Sequence, residues 1–152
     1  QDEEIICQPF CQDRLVLITP VNEHFLALQA EGGAAVMELL QEPLILREKG
    51  SGSEKLAEQF LASSGLQEEK LHVVARVNDQ EAIKNLVAGG LGVSLISERA
   101  AQNFLLEKRI LAFELPEYLA ARNMYIIYRK DYLLPTYVQE FLRFIDTKTN
   151  RK

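Results

Sequence analysis

The stretch Leu71-His-Val-Val-Ala-Arg-Val-Asn-Asp-Gln-Glu-Ala-Ile-Lys-Asn-Leu-Val-Ala-Gly-Gly-Leu-Gly-Val-Ser-Leu-Ile96 decides the fold. Its first seven residues alternate, with Leu71, Val73, Ala75 and Val77 on one face and His72 and Arg76 on the other, which predicts a strand. Asn78 and Glu81 have the spacing of a capping box, so a helix is expected to open there and to carry Ala82, Ile83, Leu86 and Val87 inward. Gly89-Gly90 ends it. Leu91 to Ile96 is then a short apolar run that reads as a buried strand. A strand, a capped helix and a second strand joined by turn residues predict a parallel crossover.

Working back along the chain, Pro43-Leu-Ile-Leu-Arg-Glu-Lys-Gly-Ser-Gly-Ser-Glu-Lys-Leu-Ala-Glu-Gln-Phe60 repeats the pattern. Leu44 to Leu46 reads as another buried strand. The turn Gly50-Ser51-Gly52-Ser53 leads into a helix with Leu56, Ala57, Phe60 and Leu61 on one face, stopping near Gly65. Ser51 and Glu54 form a second capping box, in which Ser51 accepts from the Glu54 amide and Glu54 reaches back to the Ser51 amide. Glycines let a backbone approach a ligand closely, and free amides at a helix start attract anions. The turn therefore reads as the floor of a small-molecule cleft. A capped helix start that binds nothing has the same spacing, so both readings stand at this level.

The rest of the chain continues the alternation. Ile5 to Cys7 is a short apolar segment broken by Pro9. Leu15-Val-Leu-Ile18 is a strand buried on both faces and ends at Thr19-Pro20. Residues 21–33 look like a loop, followed by a short helix from Ala34 to Leu40. Ser97 caps a further helix with Glu98 near its positive end. Ile110 to Leu115 and Asn123 to Tyr128 are strands. Pro135 suits the first position of a last helix, whose stripe is Leu134, Val138, Phe141, Leu142 and Ile145. This is α/β architecture, with Leu44–Leu46, Leu71–Val77 and Leu91–Ile96 in one mainly parallel sheet covered by helices on both faces.

With 152 residues and 47% hydrophobic content, the chain has material for one domain or two small lobes. No apolar run approaches the ~18 residues of a membrane span. The acidic opening Gln1-Asp-Glu-Glu4 is unlike a signal peptide, and the lack of a first methionine suits a fragment. A net charge of −5 argues against direct contact with a nucleic-acid backbone. Cys7 and Cys11 are too few for a disulfide framework and have no histidine at ligand spacing, so they read as an inert thiol pair in a reducing cytoplasm. No metal and no cofactor are expected.

Catalytic signatures are missing. There is no GxSxG elbow and no phosphate-loop lysine motif. Gly89-Gly-Leu-Gly92 precedes a strand instead of opening a helix, the reverse of a dinucleotide fingerprint. Neither His24 nor His72 has a triad context. A binding module is favoured over an enzyme.

Three segments, Asp13-Arg-Leu-Val-Leu-Ile-Thr-Pro20, Pro43 to Ser53 and Val77 to Ser97, occur in an order and spacing that resemble the effector-binding domain of LysR-type transcriptional regulators. The likeness runs from about Leu15 to Ile145 and covers the later part of that domain. It implies a fold like type 2 periplasmic binding proteins, with two α/β lobes, mainly parallel sheets and two crossing strands. Residues 19–112 would form lobe two, while 1–18 and 113–152 would be the remnant of an incomplete lobe one. A small, anionic effector would sit between the lobes, with Gly50, Ser51, Gly52, Ser53, Val77, Asn78 and Asp79 supplying the contacts of lobe two. Self-association as a homodimer or tetramer is implied, as is DNA contact only through an N-terminal helix-turn-helix absent from this sequence. An uncovered sheet edge in lobe one also predicts self-association. The rival readings are a solute-binding protein of the same fold and, less favoured, an α/β enzyme.

Overall fold

The structure, a computed structural model, describes residues 4–31, 36–116 and 121–149. These fall into two compact units, one of residues 14–121 and the other of the described residues up to 13 and from 122 onward.

The larger unit is built on the second half of β1 (Ile5–Thr19), β2 (Leu44–Arg47), β3 (Val73–Val77), β4 (Val93–Ser97) and β5 (Leu111–Glu114), in the order β3-β2-β4-β1-β5. β2 runs parallel to β3 and to β4, as expected. β1 lies antiparallel between β4 and β5, with Leu17 opposite Leu95 on one side and Phe113 on the other. The helices are α1 (Glu23–Ala30), α2 (Val36–Leu39), α3 (Gly52–Ser63), α4 (Gln80–Ala88) and α5 (Glu98–Leu106).

The apolar runs alternate between two cores. Leu15, Leu17, Leu44, Leu46, Val93 and Leu95 point to one, where Ala57, Phe60 and Leu61 of α3 meet Phe25, Val36 and Leu39. Val16, Ile18, Ile45 and Ile96 point to the other, closed by Ile83 and Val87 of α4 and Ala101 and Phe104 of α5. Burying each of these large side chains stabilises by about 1.5–3 kcal/mol. The connection from β2 to β3 and that from β3 back across to β4 run in opposite directions. Crossovers of one hand then require α3 and α4 on opposite faces, which is where they lie.

Several expectations need correction. Residues 23–30 of the expected loop form α1, because Asn22 Oδ1 accepts from the Phe25 amide at 3.0 Å and Phe25 is buried. The expected helix from Ala34 begins at Val36 among the described residues; Ala34 and Ala35 lie outside them. Pro9 does not break β1, which continues through it where β6 (Ala121–Arg129) is its sole partner strand among the described ones. A proline is tolerated on such an open edge. β3 does not keep one face. Leu44 is opposite Val73 but Ile45 is opposite Ala75, so one extra residue around Val74 forms a bulge. Val73 and Leu71 therefore pack on the α3 side, and Ala75 and Val77 on the α4 side.

Three helices of this unit end in the same way. At α3, Gly65 N–H donates to Ala62 O and Leu66 N–H to Leu61 O, with Gly65 at φ +73°. At α4, Gly90 and Leu91 repeat the pattern, with Gly90 at φ +84°. These are Schellman ends, and glycine is the residue suited to the left-handed position. At α5 the same two bonds are made by Lys108 and Arg109, and Lys108 holds φ 55° with a side chain.

Lys84 joins α4 to α5. Its side chain is 2% exposed, and Nζ donates to Ala100 O and Asn103 Oδ1, each at 2.8 Å, and to Glu81. All three ammonium donors are used, so the buried charge is compensated.

In the smaller unit the first half of β1 pairs with β6. Lys130 N–H donates to Glu4 O, Cys11 Sγ lies 3.9 Å from Met124 Sδ, and Arg122 Nη2 donates to Asp13 Oδ2 at 3.1 Å. One index falls as the other rises, so the pair is antiparallel. The last helix, α6 (Thr136–Thr149), starts just after Pro135, whose carbonyl accepts from Val138 and Gln139. Leu142 and Ile145 are buried, but Phe141 of the expected stripe is exposed. Cys7 and Cys11 are free thiols, and four residues of strand place them about 13 Å apart, beyond disulfide reach.

Two substitutions test this packing. A Cβ at Gly92 would lie 2.2 Å from Pro43 O, the acceptor of the Val93 amide at 2.8 Å. Gly92→Ala is expected to cost about 1–3 kcal/mol in urea denaturation, since neither backbone can yield without losing that bond. Lys108→Gly is expected to raise stability by about 0.5–1 kcal/mol by relieving the left-handed side chain. An unchanged or lower midpoint would contradict the assigned helix end.

Candidate functional site

The site follows from the topology. β2 is flanked by β3 and β4, and all three point their C-terminal ends to one edge. The helix after β2 goes to one face; those after β3 and β4 go to the other. Neighbouring parallel strands whose helices part in this way leave a crevice at their C-terminal ends, where α/β proteins bind ligands. The turn Gly50–Ser53 follows β2, and Val77–Asp79 follows β3, so both segments lie at this edge.

Arg47, the last residue of β2, joins them. It stands opposite Val77 in the sheet. Its Nη2 donates to Asn78 O at 3.1 Å and approaches Asn78 Oδ1 at 3.5 Å. Glu48 N–H donates to Val77 O at 3.3 Å, and Arg76 Nη1 to Arg47 O at 2.9 Å. The seven residues singled out above are therefore brought together in two adjacent turns. They do not all present side chains. Ser53 is buried and Val77 packs into the α4 core, so they offer backbone; Gly50, Gly52, Asn78 and Asp79 are exposed and Ser51 is half-buried.

The two helix starts differ in how they are capped. At α3, Ser51 Oγ accepts from the Glu54 amide at 3.0 Å, as expected. The return bond is shifted by one residue: Glu54 Oε2 accepts from Gly50 N–H at 3.3 Å instead of from Ser51. Gly50 allows this through its backbone, at φ +102°, and not through space, since nothing lies within 4 Å of a Cβ placed there. The Gly52 and Ser53 amides are first-turn donors left without a helical partner. At α4 the cap is Asp79 and not Asn78. The Asp79 carboxylate accepts from Glu81 N–H at 3.1 Å and Ala82 N–H at 3.3 Å, while Arg47 bonds the Asn78 carbonyl at 3.1 Å and approaches its side chain at 3.5 Å. Each start holds a carboxylate, Asp79 at α4 and the buried Glu54 at α3; Asp79 occupies two first-turn amides of α4, whereas the Gly52 and Ser53 amides of α3 have no helical partner, so α3 is the start with donors to offer an anion. At α5, Ser97 Oγ accepts from Ala100 N–H, and Glu98 is held by Arg14 in a two-pronged pair at 2.6 and 2.9 Å. Arg14 also reaches Glu114 at 3.1 Å. The Glu98 hydrogen bond holds the Arg14 guanidinium still more firmly protonated than usual.

Arg47 is the residue that sequence reasoning missed. The available signal was a cation closing an apolar run directly before a Gly-Ser turn. Its Nε is buried without a partner among the described residues. Beside it, Leu46, Glu54, Ala57, Glu58, Glu68 and Leu95 line a shallow pocket under the first turns of α3. Among the described residues no group of three or more His, Cys, Asp or Glu is placed to hold a metal ion, and no helix is long and apolar enough to cross a membrane.

The model of the LysR substrate binding domain matches residues 1–149, and the chain belongs to this family. Among its relatives is the HTH-type transcriptional activator CmpR of Synechocystis sp., 30% identical over 93% of this chain and 45% of that protein. The RuBisCO operon transcriptional regulator of Allochromatium vinosum is 26% identical over 97% of this chain and 47% of its own length. The chain thus spans about half the length of the curated relatives it matches. The fold is that of the Synechocystis CcmR regulatory domain in complex with 2-PG, with a TM-score of 0.78 at 23% identity, covering 99% of this chain and 70% of that one.

The cap assignment is testable. Asp79→Ala is expected to cost about 1 kcal/mol by thermal or urea denaturation. Asn78→Ala, which leaves the cap in place, should cost less. The reverse order would return the cap to Asn78.

Proposed function

We propose that this chain is the ligand-sensing part of a LysR-type transcriptional regulator and that the edge formed by Gly50–Ser53 and Val77–Asp79 receives a small anionic effector. The observation that carries the reading is the start of α3, where two uncommitted amides follow a glycine turn beside Arg47. The CcmR regulatory domain holds 2-PG, and the effector-binding domain of QuiR, with a TM-score of 0.71, holds shikimate, which supports small-molecule sensing on this fold. Residues 19–112 act as lobe two of the effector domain, and 1–18 with 113–152 belong to lobe one. The domain senses and does not catalyse. It works in the cytoplasm, and the full regulator assembles as a homodimer or tetramer on DNA, which it contacts through an N-terminal helix-turn-helix. Effector binding controls that assembly only if the effector has different affinities for the two assembled states.

Ser51 separates ligand contact from capping. Ser51→Asp retains a good cap, so stability should change by no more than a few tenths of a kcal/mol, whereas Ser51→Ala should lose about 1 kcal/mol. The added carboxylate of Ser51→Asp should weaken binding of an anion there roughly tenfold to hundredfold. Calorimetric titration with sulfate and a panel of small carboxylates, alongside melting curves, measures both. Parental affinity in Ser51→Asp would remove Ser51 from the effector site.

A further inference from the structure

Arg47 and Glu54 each have one polar atom in use and one without a partner. Arg47 Nη2 donates to Asn78 O at 3.1 Å and so fastens the end of β2 to the turn after β3, while its Nε is buried with no acceptor among the described residues. Glu54 Oε2 accepts from Gly50 N–H at 3.3 Å, inside the turn after β2, while its Oε1 is buried with no donor among the described residues. Glu54 as a whole is 5% exposed. Both side chains line one pocket under the first turns of α3, against the buried apolar wall of Leu46, Ala57, Leu61 and Leu95. An open donor and an open acceptor thus share a pocket, and the other ends of the same two side chains hold the two turns of the candidate site.

The chemistry of the pair selects its partner. A buried polar atom without a hydrogen bond is costly, so both atoms favour any group that supplies one. An anion would satisfy Nε but be repelled by the Glu54 carboxylate. A cation would satisfy Oε1 but be repelled by the guanidinium. A hydroxyl accepts from Nε–H and donates to Oε1 through a single oxygen. The pocket is narrow, with room for one group of that size. Its leucines and Ala57 give the carbon that carries the hydroxyl an apolar surface to cover, a gain that water alone does not bring. Glu68, a further lining residue, is engaged by Arg76. Glu58 is exposed at the rim and can turn aside to admit a ligand.

We propose that this pocket takes a hydroxyl group of the effector, which makes the effector a small hydroxy acid. Its acidic group lies at the start of α3 and its hydroxyl between Arg47 and Glu54. The placing of the acidic group rests on the function proposed above; the hydroxyl subsite rests on the open donor and acceptor. Glu54 joins the two halves, since one of its oxygens bonds the Gly50 amide and the other belongs to the pocket. A bound hydroxyl braces both turns at once, through Glu54 to Gly50 and through Arg47 to Asn78.

Two titrations of the 152-residue chain test this. In the first, calorimetry compares acids in pairs that differ by one hydroxyl: glycolate with acetate, lactate with propionate, malate with succinate. In at least one pair the hydroxylated member should bind roughly tenfold or more tightly than its partner. Arg47→Met and Glu54→Met each remove one hydrogen-bonding partner at similar side-chain length, and each should bring that ratio close to one. A substitution that only loosened the turns would weaken both members of a pair alike and leave the ratio in place. In the second, propylene glycol, which has no acidic group, is followed through the NMR signals of Arg47 Nε–H and the Glu54 side chain. Both signals should shift saturably in the parent, and the surviving one should cease to respond in either variant. Equal binding within every pair, or a preference that survives both substitutions, overturns the hydroxyl subsite and leaves the anion reading standing. A glycol response with no acid bound supports the subsite while the effector reading loses its support. No response in either titration overturns both.

Discussion

Burial of β2 on both faces is the constraint from which the rest follows. Leu44 and Leu46 enter one core and Ile45 the other, so the strand needs helices above and below it. A strand covered on both sides sits inside the sheet, and its parallel neighbours reach it through helical crossovers. Those crossovers bring the turns after β2 and β3 to one edge, where they meet as adjacent backbone. The meeting of these turns is a product of the core: no residue of the turns has to seek the others.

What the topology leaves open is the chemistry of each turn. Three helices start along the same edge, each with an oxygen cap, yet they differ in charge. Ser51 caps α3 with a neutral hydroxyl, Asp79 caps α4 with a carboxylate, and α5 begins with Glu98 neutralised by Arg14. The helix macrodipole would favour an anion at any of them, and the caps differ in how many first-turn amides they leave open.

Much of this was legible in the sequence because it rests on periodicity. The apolar runs at Leu15, Leu44 and Leu91 and the amphipathic helices after Ser51 and Asp79 have one burial solution each. The misses share a different cause. Asn78 and Asp79 are both good caps at neighbouring positions, and the contact that holds the Asn78 carbonyl comes from Arg47, thirty-one positions away. The bulge at Val74 comes from pairing with β2 and leaves no trace in β3 itself. α1 buries only Phe25, so no stripe announced it. Pro9 reads as a breaker until the open edge beside it is known. In each case the deciding partner is distant in sequence, which pattern reading does not see.

The two ends of the larger unit carry a consequence for how such a chain can be assembled. Val16 and Glu114 face each other across an antiparallel ladder, and Arg14 is bonded to Glu114. The polypeptide therefore arrives and leaves side by side, on neighbouring strands. In genetic terms residues 14–121 are a cassette, since a block whose ends meet can be inserted at a single surface position of a host without stretching it. The same closeness makes circular permutation feasible: a short link between the ends would let the block begin at an exposed turn such as Gly89-Gly90 while keeping every strand pairing.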